Sequence, residues 1–204
     1  ALDPAAGGRS SSASRVGAPT GSTGRPDVVA ALGGWSDLVT DLLALTRDLV
    51  ALPSVSHDEG PLVDWLEAEL SPIPWLDVQR VGSNLVARTH AGRDVRVLIA
   101  GHTDTVPVDE SKWRFPPFSA TQDEGFVYGR GAIDDKDNLA SALMTMVLLK
   151  RLHVPLDRDV ILLAESGEES ASQLGIGFMI REHYPEIDAE YCLAEGGDTI
   201  RERG

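Results

Sequence analysis

His102 and Asp104 follow an apolar run and place one imidazole and one carboxylate at the same point of the chain. The run 95–100 predicts a buried strand, and Gly101 ends it. Residues two apart on extended backbone point to the same side, so the Asp104 carboxylate can orient the His102 ring as a metal ligand. Ligands in open α/β sheets bind outside the carboxyl ends of strands. The segment predicts a metal-binding turn, although a capped polar loop would give the same short pattern.

Carboxylates recur where other predicted strands end or predicted helices begin. The apolar run 160–164 is typical of a strand covered on both faces, and acidic residues follow it within a few positions. Together with the His-Thr-Asp turn, four separate loops bring candidate ligands to one predicted sheet edge, a coincidence that chance explains poorly. The side chains concerned are His102, Asp104, Asp134, Glu168, Glu169 and Glu195.

One imidazole with several carboxylates predicts a site for a divalent metal ion. Such ligands suit Zn²⁺, Mn²⁺ or Co²⁺ better than metals that prefer thiolates. Two ions about 3.5–4 Å apart can share a bridging carboxylate and a bridging water, whose pKa they bring down to about 7. A free carboxylate nearby can take the proton of that water. The adjacent Glu168 and Glu169 suit this division, although an isolated acidic pair would be interpreted as solvated surface charge.

The composition of the chain argues against several classes of protein. Its 204 residues are 42% hydrophobic, enough for one domain with a substantial core. The net charge of -14 argues against a nucleic-acid surface, which needs a basic footprint. No apolar stretch approaches the roughly 18 residues of a membrane span, and no signal peptide is visible, so a cytoplasmic location is the default expectation. The single cysteine, Cys192, excludes an intrachain disulfide and is predicted to be a small core residue.

The chain divides into a predicted leader and one predicted domain. Residues 1–34 are rich in Ala, Gly, Ser and Pro and are predicted to be disordered, which leaves 35–204 as the domain. Strands alternate with helices in the domain, a pattern that is typical of an α/β fold. The strands at 84–89 and 95–100 are predicted to form an antiparallel hairpin. Helices are predicted near 36–52, 61–70, 136–152 and 174–183, and further strands at 78–81, 126–128, 160–164 and 191–194.

In combination, order and spacing, the motifs resemble those of the dinuclear zinc aminoacylase/carboxypeptidase family, from about Trp35 to the last residue. The family includes acetylornithine deacetylase, succinyl-diaminopimelate desuccinylase, carboxypeptidase G and carnosinase. The resemblance implies a three-layer α/β sandwich with a central, mostly parallel mixed sheet flanked by helices. The matching motifs are GHTDTVPVD at 101–109, Trp113, YGRGAIDDK at 128–136, Glu-Glu at 168–169 and Glu-Gly-Gly at 195–197.

The same resemblance implies the metal ligands. His102 and Glu195 would bind one Zn²⁺, Glu169 would bind the other, and Asp134 would bridge both, with Co²⁺ or Mn²⁺ as substitutes. Asp198 is the less favoured alternative to Glu195. The bond that follows Asp134 is expected to be a cis peptide, which is rare outside proline.

The resemblance also implies the catalytic roles and the reaction. Asp104 would orient His102, and Glu168 would be the general base. The reaction would hydrolyse an amide bond next to a free carboxylate, either in an N-acyl amino acid or in a dipeptide. The complete protein would be a homodimer that binds neither nucleic acid nor membranes.

Two departures from the family pattern affect this expectation. The family's second metal site uses a histidine near the C-terminal end, and a smaller lid domain contributes substrate contacts. Neither has a counterpart here, since His90, His153 and His183 stand in other contexts. The chain is therefore predicted to be the N-terminal part of a catalytic domain, truncated and inactive alone. Two alternatives remain open: a non-catalytic member that keeps the fold for binding or assembly, and an acidic α/β domain with a structural or Ca²⁺ site.

Overall fold

The computed structural model describes residues 41–151, 153–170 and 173–196, which contain both strands and helices. The predicted leader, residues 1–34, lies outside these ranges, so the domain division at residue 35 stays a prediction. The strands are β1 Leu76–Val81, β2 Asn84–Thr89, β3 Arg96–His102, β4 Thr121–Asp123, β5 Phe126–Tyr128, β6 Asp159–Glu165 and β7 Tyr191–Leu193. The helices are α1 Asp41–Val50, α2 Gly60–Leu70, α3 Lys136–Arg151, α4 Ile176–Glu182 and α5 Tyr184–Ile187, with a short 3-10 helix at Glu110–Lys112.

Five of the strands form one mixed sheet in the order β1-β2-β6-β3-β7, while β4 and β5 form a separate hairpin. Parallel pairing joins β6 to β3 and β3 to β7, whereas β1–β2 and β2–β6 are antiparallel. Among the described strands the sheet is therefore mixed, as expected, although its two parallel and two antiparallel pairings do not make it mostly parallel. A two-residue turn between β1 and β2 enforces antiparallel pairing, because parallel neighbours need a long crossover.

The predicted antiparallel hairpin between the strands at 84–89 and 95–100 is wrong. β6 lies between them and pairs with β2 on one side and with β3 on the other. Residues 160–164 are buried throughout, and such a strand is stable only in the middle of a sheet with both faces covered. Burial of this apolar strand therefore outweighs the short connection between β2 and β3.

Helices cover both faces of the sheet and complete three layers, as expected. One face packs against α1, α2 and α3, whose buried leucines include Leu49, Leu66 and Leu139. The opposite face packs against α4 and α5 through Met179 and Ile187. Successive β6 residues alternate between the two cores, as side chains do along a strand. Each fully buried leucine stabilises this arrangement by about 1.5–3 kcal/mol before entropy is counted.

The prediction that Cys192 is a small core residue is wrong. It lies in β7, whose three residues are all exposed, including Tyr191 at 57% and Leu193 at 61%. Among the described residues β7 pairs with β3 alone, so it forms an edge of the sheet.

In the part of the chain that the structure describes, no helix has both the length and the apolar character that crossing a membrane requires. The cytoplasmic location stays a prediction.

Asp159 ties the loop between β2 and β3 to the first residue of β6. Its buried carboxylate accepts hydrogen bonds from Thr89 Oγ1 at 2.7 Å and from the main-chain N–H groups of Ala91 at 2.6 Å and Arg93 at 2.9 Å. Burial alone would raise the pKa of Asp159, but these hydrogen bonds hold it below its usual range. The ionised Asp159 carboxylate therefore stabilises the end of the sheet opposite His102.

We expect Asp159→Asn to lower the free energy of unfolding at neutral pH by about 1–3 kcal/mol, since the amide replaces an acceptor by a donor. The folded-state pKa is lowered, so this stabilisation is present above the unfolded-state pKa and is lost as pH falls through the folded-state value. The difference between the variant and the wild type should therefore shrink below about pH 4. Urea unfolding across this pH range measures it, with the exposed Asp157→Asn as control. A difference that is constant with pH would contradict the assignment.

Candidate metal centre

His102 is the last residue of β3, and its ring is buried with 1% of the residue exposed. Its Nδ1 lies 3.0 Å from the main-chain oxygen of Asp104 and 3.4 Å from Asp104 Oδ1. A carbonyl oxygen only accepts, so Nδ1 donates, and in the neutral ring Nε2 keeps its lone pair. Asp104 thus orients the ring through its main chain as well as its carboxylate, and His102 presents Nε2 as a metal ligand.

Two carboxylates converge on this nitrogen. Asp134 Oδ1 lies 2.9 Å from His102 Nε2, and Glu195 Oε2 lies 3.1 Å from it. One ligand atom from each of the three residues falls within 4.8 Å of the others. Among the described residues this is the one group of three or more potential ligands so closely spaced. The arrangement brings together three of the four predicted metal ligands.

The electrostatics of the group favour a divalent cation. Burial and the charges of Asp135 and Asp134 raise the pKa of Glu195. Burial disfavours a charged ring at His102, but its hydrogen bond to Asp104 and the surrounding carboxylates raise the pKa of His102 to about 10. Without a cation, a proton on His102 thus balances part of the negative charge. A metal ion would replace that proton, because it binds the neutral imidazole and the charged carboxylates.

Asp104 connects the histidine turn to the loop after β6. Its fully buried carboxylate accepts the main-chain N–H of Glu168 at 3.0 Å and of Glu169 at 3.1 Å. The hydroxyl of Ser56 donates to the same group at 2.7 Å. Burial opposes ionisation, yet these bonds and the His102 ring lower the pKa of Asp104. An ionised Asp104 therefore holds the His102 ring and also the loop that carries Glu168 and Glu169. The sequence predicted only the first of these two roles.

Asp134 and Asp135 are adjacent but do different things. The peptide bond between them is cis, as expected. The Asp134 side chain is 52% exposed and faces His102, whereas Asp135 is fully buried. Asp135 accepts the main-chain N–H of His102 at 2.9 Å and an amide hydrogen of Asn138. One carboxylate of the pair is thus available to a metal, and the other holds the β3 end in place.

The two glutamates after β6 are anchored by their main chain to Asp104. Glu168 is exposed and Glu169 is partly buried. Burial and the neighbouring charge of Asp134 raise the pKa of Glu169, which places its carboxylate in the same acidic cluster. The structure therefore brings both predicted residues to the site, although neither belongs to the three-ligand group. Asp198, the alternative to Glu195, lies outside the described residues.

Sequence reasoning missed three residues that support the site. The Ser56 hydroxyl donates to the Asp104 carboxylate, and the Asp135 carboxylate accepts the main-chain N–H of His102. Glu165, the last residue of β6, accepts the Thr103 main-chain N–H at 2.7 Å through its own carbonyl. Adjacency to Asp134 was a signal for Asp135, and the end of the apolar run was one for Glu165. Nothing local in the sequence distinguished Ser56 from other loop serines.

Comparison with known proteins identifies relatives of the chain. Residues 98–203, which hold all the candidate ligands, match the model of peptidase family M20/M25/M40. Succinyl-diaminopimelate desuccinylase of Corynebacterium glutamicum is 37% identical over 160 residues, which cover 77% of this chain and 42% of that protein. The desuccinylase of Dinoroseobacter shibae is 39% identical over 145 residues, covering 67% and 37% respectively. The chain thus spans about two fifths of the length of these curated relatives.

Solved structures show the same fold. An M20 family metallo-carboxypeptidase from Sulfolobus solfataricus superposes with a TM-score of 0.67 and 24% identity, over 77% of this chain and 37% of that one. Human carnosine dipeptidase 1 superposes with a TM-score of 0.63 and 18% identity, over 82% and 39%. Fold, ligand group and sequence match agree, and the chain belongs to peptidase family M20/M25/M40.

Proposed function

We propose that the protein containing this chain is a zinc-dependent hydrolase that cleaves the amide bond of an N-acyl amino acid or a dipeptide. The observation that carries the proposal is the convergence of Asp134 and Glu195 on Nε2 of a buried, oriented His102. One nitrogen and several carboxylate oxygens suit Zn²⁺, and also Co²⁺ or Mn²⁺. Membership of a family of metal-dependent peptidases supports the same conclusion.

Each residue of the site has one task in this proposal. His102 and Glu195 would hold one metal ion, Glu169 would hold a second, and Asp134 would contribute to both. Bound metal would supply a water of lowered pKa and polarise the carbonyl of the substrate. Glu168, whose exposed side chain is anchored through its main chain, would be the general base: its carboxylate would take up one proton and later give it to the leaving nitrogen.

The names of the relatives support the substrate class. Two are desuccinylases, which act on an N-acyl group, and two structural neighbours are a carboxypeptidase and a dipeptidase. These reactions share an amide carbonyl and differ in the group beside it. We infer an N-acyl amino acid or dipeptide substrate with a free carboxylate.

We also infer that the protein containing this chain is a homodimer. Sedimentation of the purified protein tests the dimer.

Hydrolysis of three substrates tests the proposal: an N-succinyl diamino acid, an N-acetyl amino acid and a dipeptide. We expect one of the three classes to be cleaved, activity to disappear with a chelator, and Zn²⁺ or Co²⁺ to restore it, because the water needs a metal to lose its proton near neutral pH. Release of the free amine measures the rate. Restoration by Ca²⁺ alone, or turnover that survives chelation, would contradict the proposal.

A further inference from the structure

Lys136, the first residue of α3, carries an ammonium group that is completely buried. Its Nζ donates to the main-chain oxygen of Leu49 at 3.0 Å and to that of Leu52 at 2.6 Å. The Phe118 ring lies on another side, with its centroid 6.0 Å from Nζ. Among the described residues no acidic side chain forms a salt bridge with Lys136. Its main partners are thus one carbonyl in the last turn of α1, that of Leu49, which also accepts the Leu52 N–H at 3.2 Å, and one carbonyl just beyond the helix, that of Leu52.

The loop that carries Asp134 is packed around this lysine. The main-chain N–H of Lys136 donates to Gly131 O at 3.0 Å, and Gly131 has a φ of +84°. A Cβ on Gly131 would lie 3.0 Å from Lys136 Cδ and 3.0 Å from Thr105 Cγ2. The lysine stem, the loop and the histidine turn are therefore in close contact, and none can shift alone.

The end of α1 and the segment after it also hold the histidine turn. Ser54 Oγ donates to Thr103 O at 2.7 Å, and the Thr105 N–H donates to Ser54 O at 2.9 Å. The Ser56 hydroxyl bonds Asp104, as described above. Residues 49–56 thus contact two of the loops that supply ligands, the histidine turn and the loop 129–135, although they lie outside the family match at 98–203. This segment is the shared support of the two loops.

We propose that Lys136 is a positioning residue of the metal centre, which anchors the loop 129–135 to the carbonyls of Leu49 and Leu52 and thereby holds Asp134 opposite His102. The inference rests on the proposed function, because it concerns the geometry of that centre. A purely structural lysine would contribute to folding stability alone. A positioning lysine contributes in addition to metal affinity.

Lys136→Met tests this difference, because methionine keeps the apolar stem and cannot donate to the carbonyls. We expect the dissociation constant for Zn²⁺ to rise about 10-fold or more, the scale found for residues behind metal ligands. The visible spectrum of the Co²⁺ form should change as well, since the ligands shift. Met146→Ala is the matched control: it destabilises α3 from a buried position near the other end of the helix and should leave metal affinity unchanged.

Each outcome decides a separate question. Absence of metal from the wild type would overturn the proposed function and the inference together. Metal bound by wild type and Lys136→Met with equal affinity and the same Co²⁺ spectrum would overturn the inference alone. Equal weakening by Met146→Ala would also overturn it. If Lys136→Met does not fold, Lys136→Arg decides: the charge is kept, the wider head displaces the loop, and unchanged affinity overturns the inference.

Discussion

Asp134→Ala is expected to abolish metal binding while the domain stays folded. The Asp134 side chain is 52% exposed and contributes nothing to either apolar core, so its removal costs little stability. Its Oδ1 lies 2.9 Å from His102 Nε2, and in the proposed centre it is the one carboxylate common to both ions. Loss of a direct ligand should exceed the roughly 10–100-fold typical for residues behind ligands. Elemental analysis of zinc per chain, beside a thermal unfolding curve without metal, measures both effects.

Asp109→Ala is the control for this prediction. Asp109 belongs to the motif 101–109, which also holds His102, but its carboxylate is on the surface and bonds Ser111 and Lys112. Removal of this charge should leave zinc content unchanged. If both variants lose zinc, the metal is held by the general negative charge of the surface. If Asp134→Ala keeps zinc, Asp134 is not a ligand.

The sequence predicted the parts of the molecule that depend on local pattern. The buried β6 follows from its continuous apolar run, and the position of His102 at the end of β3 follows from the apolar run that precedes Gly101. The exposed edge at Cys192 could not be inferred, because an apolar run of three residues looks the same at an edge and in a core. Burial at that position depends on which strands lie beside it.

Sheet order and the supports of the site depend on distant contacts. β2 and β3 are neighbours in the chain, yet β6 separates them because it gains more from cover on both sides. Ser56 bonds Asp104 across 48 positions, and Lys136 reaches Leu52 across 84. No periodicity records such a pairing. The predicted ligands were found by type and spacing, whereas the residues that hold them were found in the fold.

In the proposed centre, Glu168→Gln is expected to leave both metal ions bound and to lower kcat by about 100-fold or more, the scale of general acid–base catalysis. Its main-chain N–H bonds Asp104 at 3.0 Å and its side chain is exposed, so the substitution leaves the loop in place. An amide cannot accept the proton of the attacking water. Steady-state rates and zinc content measured on the same sample test both halves of the prediction.

Glu169→Gln provides the comparison that gives this result its meaning. The main-chain N–H of Glu169 bonds the same Asp104 carboxylate at 3.1 Å, so both substitutions leave this anchor of the loop in place. A ligand and a base should nevertheless fail differently: Glu169→Gln should lose one of two zinc ions, and excess Zn²⁺ should recover part of its rate. Glu168→Gln should keep both ions and stay slow at any zinc concentration. If the two patterns are exchanged, the roles of the neighbours are exchanged, and if Glu168→Gln retains full activity, the base lies elsewhere.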